Sequence, residues 1–178
     1  VDIRPLGEEP LTAEDLSFAF ETSASAGLIS RRELDLTRNL LRLSQTESRE
    51  LMVPRSQIAA LDANAPWDEV ASIFSHRPFT RYPVFEGSLD SLTGMVDAKR
   101  LLLAEDDAVR AAWRDQVRPS TVLPESVSAD VSLETMRRQS SPMAILVDEY
   151  GGTAGLLTQF DIVRFLAAGL PEDITSYP

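Results

Sequence analysis

Apolar positions recur at helical spacing over the first third of the chain. Leu34, Leu36, Leu40, Leu41 and Leu43 keep one face of a helix apolar. Thr12 followed by Asp15, flanked by Leu11 and Leu16, reads as a capping box inside a hydrophobic staple, with Asp in the slot usually held by Glu or Gln. Ser30 with Glu33, flanked by Ile29 and Leu34, repeats the device, and Gly27 marks a helix stop between them. The pattern predicts helices over Leu11 to Ser25 and Ser30 to Leu43, lying outside the main body.

From Glu50 onward the text repeats itself at a separation of about 61 to 64 residues. In the first half, Ile58 to Leu61 reads as a short strand. Trp67 to Ser75 reads as a helix opened by Pro66, and Arg81 to Phe85 as a buried strand. A turn through Glu86 to Ser91 leads to a strand ending at Asp97 and a helix through Leu103. In the second half, Thr121 to Leu123, Val131 to Gln139, Met143 to Asp148, Ala154 to Thr158 and Phe160 to Ala167 give the same order. Each repeat is thus β-α-β-β-α, an α+β fold class with pseudo-twofold symmetry and a helical connector in front. A unit of about 50 residues buries too little surface to stand alone, so the two are expected to pack sheet against sheet. The expected division is residues 1–50 for the connector, 51–112 for the first repeat, and 113–178 for the second repeat with a C-terminal tail.

Composition removes several classes of function. The formal charge of −11 opposes a phosphate backbone, so no nucleic-acid partner is expected. Cysteine is absent and His76 is the sole histidine, which excludes thiolate sites and imidazole clusters for metals and leaves no nucleophile-base pair. His76 is expected to end an exposed helix. No pair of polar residues stands at a catalytic spacing, and no enzyme is expected. The longest apolar runs fall far short of the roughly 20 residues of a membrane span. Glu105-Asp106-Asp107 reads as a solvated linker rather than a magnesium cage.

The most informative stretch is Gly155-Leu156-Leu157-Thr158-Gln159-Phe160-Asp161, a strand that ends in a hydroxyl and passes into a helix with a carboxylate on its first turn. Two readings are open. Thr158 and the helix amides could meet phosphate oxygens while Asp161 accepts from ribose hydroxyls. Alternatively, Thr158 merely caps the helix and Asp161 answers its dipole.

These seven residues resemble the nucleotide signature of CBS (cystathionine-β-synthase type) domains, whose fold is the β-α-β-β-α repeat. Met52-Val53-Pro54-Arg55, Thr80 to Gly87 and Met143 to Gly155 with its Asp148-Glu149-Tyr150-Gly151-Gly152 turn are similar, more narrowly, to the CorC/HlyC and cyclin-M family of magnesium and cobalt transport proteins. The resemblance implies a soluble Bateman-type module on the cytoplasmic face of the cell membrane, joined to a transmembrane domain, homodimeric, and regulated by an adenine nucleotide (ATP or AMP), with Mg2+ entering on the nucleotide's phosphates. It implies a site of Thr158 and Asp161, with adenine held near Tyr82, Pro83, Met143, Ala144 and Ile145, and with Arg55 or Arg81 reaching the phosphates. Plain core for Tyr82, Met143 and Ile145, and surface ion pairing for the arginines, stand beside those roles. Pro142 stands where relatives often carry His, which removes a polar contact from that pocket. The first repeat departs from the signature, with Asp97 in the hydroxyl position and Arg100 where the ribose carboxylate belongs; an Arg cannot accept a hydrogen bond. Its pocket is expected to be empty or differently used, and a structural dimerisation module with a degenerate pocket is the alternative function.

Overall fold

A computed structural model describes residues 12–168. Helices α1 (Ala13–Ser25) and α2 (Arg31–Leu43) both begin with reciprocal capping boxes, Thr12 with Asp15 and Ser30 with Glu33. Leu11, the outer half of the first staple, and the tail beyond residue 168 lie outside the described residues. Gly27 takes φ 73°, and the Leu28 amide closes back onto the Ser23 carbonyl at 2.9 Å, so the turn needs a residue without a Cβ. α1 buries no residue, whereas α2 buries Leu34 and Leu43.

The main body is two small sheets. β2 (Leu61–Asp62), β3 (Arg81–Glu86) and β4 (Ser88–Asp97) form the first, with β2 parallel and β4 antiparallel to β3. α3 (Ser48–Leu51) and β1 (Val53–Pro54) precede it. α4 (Trp67–His76) joins β2 to β3, and α5 (Ala98–Leu102) follows β4. α6 (Asp107–Ala111) leads through a 3-10 turn to the second sheet. There β5 (Thr121–Pro124) runs parallel to β6 (Met143–Val147), and β7 (Thr153–Thr158) runs antiparallel to β6, with α7 (Ala129–Arg138) and α8 (Gln159–Leu166) alongside. The β-α-β-β-α order is therefore present twice. The first strand starts later than the sequence predicts, because Arg55–Gln57 turns as a 3-10 helix and frees Ile58 from the sheet. Ile58 packs between the repeats instead.

Strand alternation sorts the core into three layers. Tyr82 and Val84 on β3 face Leu61, Val70, Phe74 and Trp113 within the first repeat. Ala144 and Leu146 on β6 face Met136, Leu157 and Ile162 within the second, and Leu43 of α2 joins them. The opposite faces meet: Met95 of the first sheet packs with Met143, Ile145 and Leu156 of the second, bordered by Val53 and Leu92.

The repeats also exchange their leading segments. Val53 and Pro54 pair antiparallel with Leu156 and Gly155 of β7, so β1 completes the second repeat's sheet. Reciprocally, Arg118, just before β5, bridges Met95 on β4 through amide-carbonyl bonds of 2.8 and 2.9 Å. Each crossing passes over a glycine. A Cβ on Gly155 would lie 2.7 Å from the Val53 carbonyl oxygen, and one on Gly94 would lie 2.8 Å from Val117 Cγ1 and overlap the Arg118 carbonyl oxygen. Gly94→Ala is expected to destabilise the fold by about 1–3 kcal/mol, because the obstructing atoms are backbone. Urea unfolding of the variant checks this; a midpoint unchanged from the parent would show that the crossing does not constrain position 94.

Candidate functional site in the cleft between the repeats

At the β7–α8 junction the capping arrangement of the signature is formed. Thr158 is the N-cap of α8: its Oγ1 accepts the Asp161 amide at 3.1 Å, and the Thr158 amide donates to Asp161 Oδ2 at 2.9 Å. Only Oδ2 is used in the capping box. Oδ1 faces Arg164 at 3.9 Å, beyond hydrogen-bond range, and the side chain is 12% exposed. The carboxylate can therefore cap its helix through one oxygen and accept from a ligand through the other.

Thr158 lies opposite Met143 across the β6–β7 ladder. Met143 and Ile145 belong to the apolar layer between the sheets, and buried Pro83 pairs with Met95 of the same layer. The side chains of Tyr82 and Ala144 lie on the other strand faces, in the separate repeat cores, which for Tyr82 is the plain-core arrangement. Tyr82 is fully buried against Phe74 and Phe79, and its hydroxyl accepts the Phe79 amide at 3.1 Å.

Arg55 also leaves the expected pocket. Its guanidinium forks onto both oxygens of Asp90, with Nη2 to Oδ2 at 2.8 Å, and donates to the Thr153 carbonyl at 3.1 Å. Asp90 additionally accepts the Thr153 amide at 2.9 Å, and the Thr153 hydroxyl donates to the Leu89 carbonyl at 2.8 Å. Thr153 begins β7 and Thr158 ends it, so Arg55 is spent at the end of the strand away from Asp161, roughly 17 Å distant at strand rise. There it pins the β3–β4 hairpin of one repeat to the sheet of the other. The neighbouring turn is closed by Asp148, whose Oδ1 accepts the amides of Tyr150 at 2.9 Å and Gly152 at 2.8 Å, and Tyr150 projects from it 90% exposed.

The pseudo-symmetric junction of the first repeat is built alike with different chemistry. Asp97 ends β4 and caps α5 by accepting the Arg100 amide at 3.2 Å, and Arg81 stands 3.8 Å from its carboxylate. A cavity of about 190 Å³ opens here, lined by Arg81, Asp97, Arg100, Arg118, Ser140 and Pro142 among others. Arg81 stands at the first repeat's junction, and Pro142 lines the same cavity. Arg118 and Ser140 escaped sequence reasoning. The signal for Arg118 was present, since Val117-Arg118-Pro119 mirrors Met52-Val53-Pro54.

His76 ends α4 on the surface, its Nδ1 2.7 Å from the Ser72 carbonyl oxygen. In the acidic run, Asp106 caps α6 and Asp107 pairs with Arg110 at 2.8 Å. No group of three His, Cys, Asp or Glu side chains suited to a metal ion occurs among the described residues.

Comparison with known proteins adds context to this geometry. The CBS domain family model matches residues 49–107 and 115–168. The magnesium and cobalt efflux protein CorC of Escherichia coli is 30% identical over 93% of this chain and 57% of its own length. The chain spans 37%, 41% and 57% of the length of three curated relatives that it matches. The CBS domain of the bacterial CNNM/CorC family Mg2+ transporter superposes with a TM-score of 0.83 at 28% identity, covering 90% of this chain and 99% of that one. A structure of that domain in complex with ATP gives 0.71 at 31% identity over 75% of this chain and 96% of that one. A CBS-domain pair with bound AMP from Klebsiella pneumoniae gives 0.59 at 26% identity over 67% and 96%.

The Arg55 fork sets a pH dependence. Hydrogen bonding to Arg55, then to the Thr153 amide, holds the Asp90 carboxyl down at about 2 against an ordinary 3.8. Its folded value is depressed, so its contribution to stability is complete above the unfolded value and fades as pH falls from about 4 towards 2. Asp90→Asn should melt below the parent at neutral pH, with the gap closing near pH 2. A gap that stays constant across that range in thermal melts would remove Asp90 as its source.

Proposed function

The chain belongs to the CBS domain family, and from that premise we propose that it is the regulatory, non-catalytic portion of a longer magnesium- or cobalt-transport protein, binding an adenine nucleotide between its repeats. The observation that carries this reading is the β7–α8 junction, where one oxygen of Asp161 is left for a ligand beside the hydroxyl of Thr158. Ribose hydroxyls would donate to Asp161 Oδ1 and phosphate oxygens would meet the first amides of α8. The adenine would enter the apolar layer at Pro83, Met143 and Ile145, and Mg2+ would ride on the phosphates. No described helix is long and apolar enough to cross a membrane. The membrane domain that such regulation needs would belong to the further length that CorC-like relatives possess, with this module on its cytoplasmic face.

A route from ligand to connector exists in the packing. The C-terminal end of α8 is held by Asn39 of α2, whose amide donates to the Leu166 carbonyl at 3.2 Å and the Ala168 carbonyl at 3.0 Å. One helix therefore carries the ligand-facing groups at its start and the connector at its end, about 12 Å apart at helical rise. Coupling requires that the nucleotide bind two arrangements of that helix unequally.

A second reading, a dimerisation module with a degenerate pocket, draws on the outer faces of α7 and α8, where Phe160, Val163 and Val131 are 46%, 52% and 45% exposed. A homodimer is expected under both readings, and sedimentation showing only monomer at tens of micromolar would count against it.

The readings separate by nucleotide binding. A nucleotide bound only by the native state at 100 times its Kd adds about 2.7 kcal/mol. At roughly 2–4 °C per kcal/mol, that raises melting by several degrees. ATP, ADP and AMP, each with and without Mg2+, are the probes, and Asp161→Ala should abolish most of the rise. No rise with any of them at millimolar concentration favours the degenerate pocket, and an unchanged rise in the variant removes Asp161 from the site. Nucleotide should also slow hydrogen exchange of α2 amides in the parent, with Asn39→Ala losing that protection while still binding. Equal protection in the variant would show that Asn39 does not carry the coupling.

A further inference from the structure

The first repeat's end of the cleft holds charge that the nucleotide reading leaves unused. Arg81 from β3, Arg100 from α5 and Arg118 from the segment before β5 line one cavity with a single carboxylate, Asp97. Three guanidinium groups against one carboxylate leave a local excess of two positive charges, in a chain whose formal charge is −11. Asp97 is partly engaged already, capping α5 and standing 3.8 Å from Arg81. Among the described residues, neither Arg100 nor Arg118 has a carboxylate within 4.0 Å. All three arginines are exposed, so solvent screens part of their mutual repulsion, and an anion seated among them would relieve the remainder.

The remaining wall is also unusual. Ser140 is the only described non-glycine residue with positive φ, at 52°. It closes α7 in a tight turn, with the Ser141 amide bonded to the Met136 carbonyl at 2.9 Å, a position usually given to glycine. Strain of this kind is kept most often at ligand sites, and here it places a serine on the cavity wall.

The geometry points to a second site between the repeats, one that takes a compact phosphate-class anion without recognising ribose. Arg forks match phosphate oxygens in pairs. The volume of about 190 Å³ lies below the ~300 Å³ from which pockets for whole small molecules begin. Where the second repeat offers the acceptor Asp161, this junction offers Arg100, which only donates. The anion is either a free inorganic di- or triphosphate, or the terminal phosphates of a nucleotide seated at Thr158. The two sources share one chemistry.

Calorimetry of the described module with sodium pyrophosphate at about 50 mM salt tests the site, because charge-driven binding is strongest there. The parent should bind. Arg100→Ala and Arg118→Ala should each weaken binding about tenfold, whereas Arg32→Ala, which removes the same charge from α2, should not. Asp97→Asn keeps a helix-capping side chain while removing the opposing charge, and should tighten binding severalfold, a gain that misfolding cannot produce. Asp161→Ala should leave pyrophosphate binding intact; its loss of nucleotide binding is scored separately, so failure of one site does not mimic failure of the other. Pyrophosphate that displaces ATP but not AMP identifies the nucleotide tail as the source, and simultaneous binding identifies a free anion. The site is overturned if the parent binds no pyrophosphate at millimolar concentration while ATP and AMP bind alike. It is equally overturned if Arg32→Ala weakens binding as much as Arg100→Ala does.

Discussion

Each repeat sets its leading segment against the outer strand of the other repeat's sheet, and the cleft depends on this exchange. Without it, the two sheets would meet through the thin apolar layer of Met95, Met143, Ile145 and Leu156 and the bonds of Thr153 to Leu89 and Asp90. With it, β7 gains a neighbour on its open side and β4 is tied to Arg118. The Gly of the Gly-hydrophobic-x-Thr-x-x-Asp pattern thereby acquires a physical reason: Gly155 and Gly94 are where the other repeat's backbone passes too close for a Cβ. The glycine belongs to the crossing, and the two residues between it and Thr158 are the length of strand that carries the chain from the crossing to the start of α8.

The same scaffold then supports opposite chemistries at its two ends. In both repeats a strand ends at a residue whose side chain caps the following helix, Thr158 for α8 and Asp97 for α5. Capping needs only an acceptor oxygen, so it tolerates either residue. Ligand recognition is less tolerant. Replacing the hydroxyl by a carboxylate adds a negative charge, and replacing Asp161 by Arg100 exchanges an acceptor for a donor. The fold therefore survives a divergence that exchanges a neutral cap followed by an acceptor for a charged cap followed by a donor.

The sequence made the repeat legible because period and order are local properties. The capping boxes of Thr12, Ser30 and Thr158 are visible within four residues, and strand alternation is visible within five. Facing direction at Tyr82 and Ala144 was not legible, since a continuous apolar run hides which alternate set meets the other sheet. Partners distant along the chain were also hidden. Arg55 finds Asp90 and Thr153, and Arg118 finds Met95, through contacts that no window of sequence contains. Short elements such as α3 and β1 carry too few residues to show any period, although they make the exchange that orders the cleft.

That exchange also limits how a ligand at Asp161 could act at a distance. The start of β7 is pinned by Asp90 and Arg55, and its middle is paired with β1 and β6. The strand leading into the junction therefore has little freedom to move. α8 is held by its capping box at one end, by Asn39 at the other, and between them by Ile162, which packs with Ala144, Leu146 and Leu157. A phosphate at the first amides of α8 competes with the Thr158 hydroxyl for the Asp161 amide, so binding acts on the helix rather than on the sheet. The helix can respond by changing its tilt against α2, because the contact there is two hydrogen bonds and a short apolar seam at Leu43 rather than a continuous ladder. A helix joined to the connector through Asn39 and to the second repeat's core through Ile162 would pass a local binding event to both.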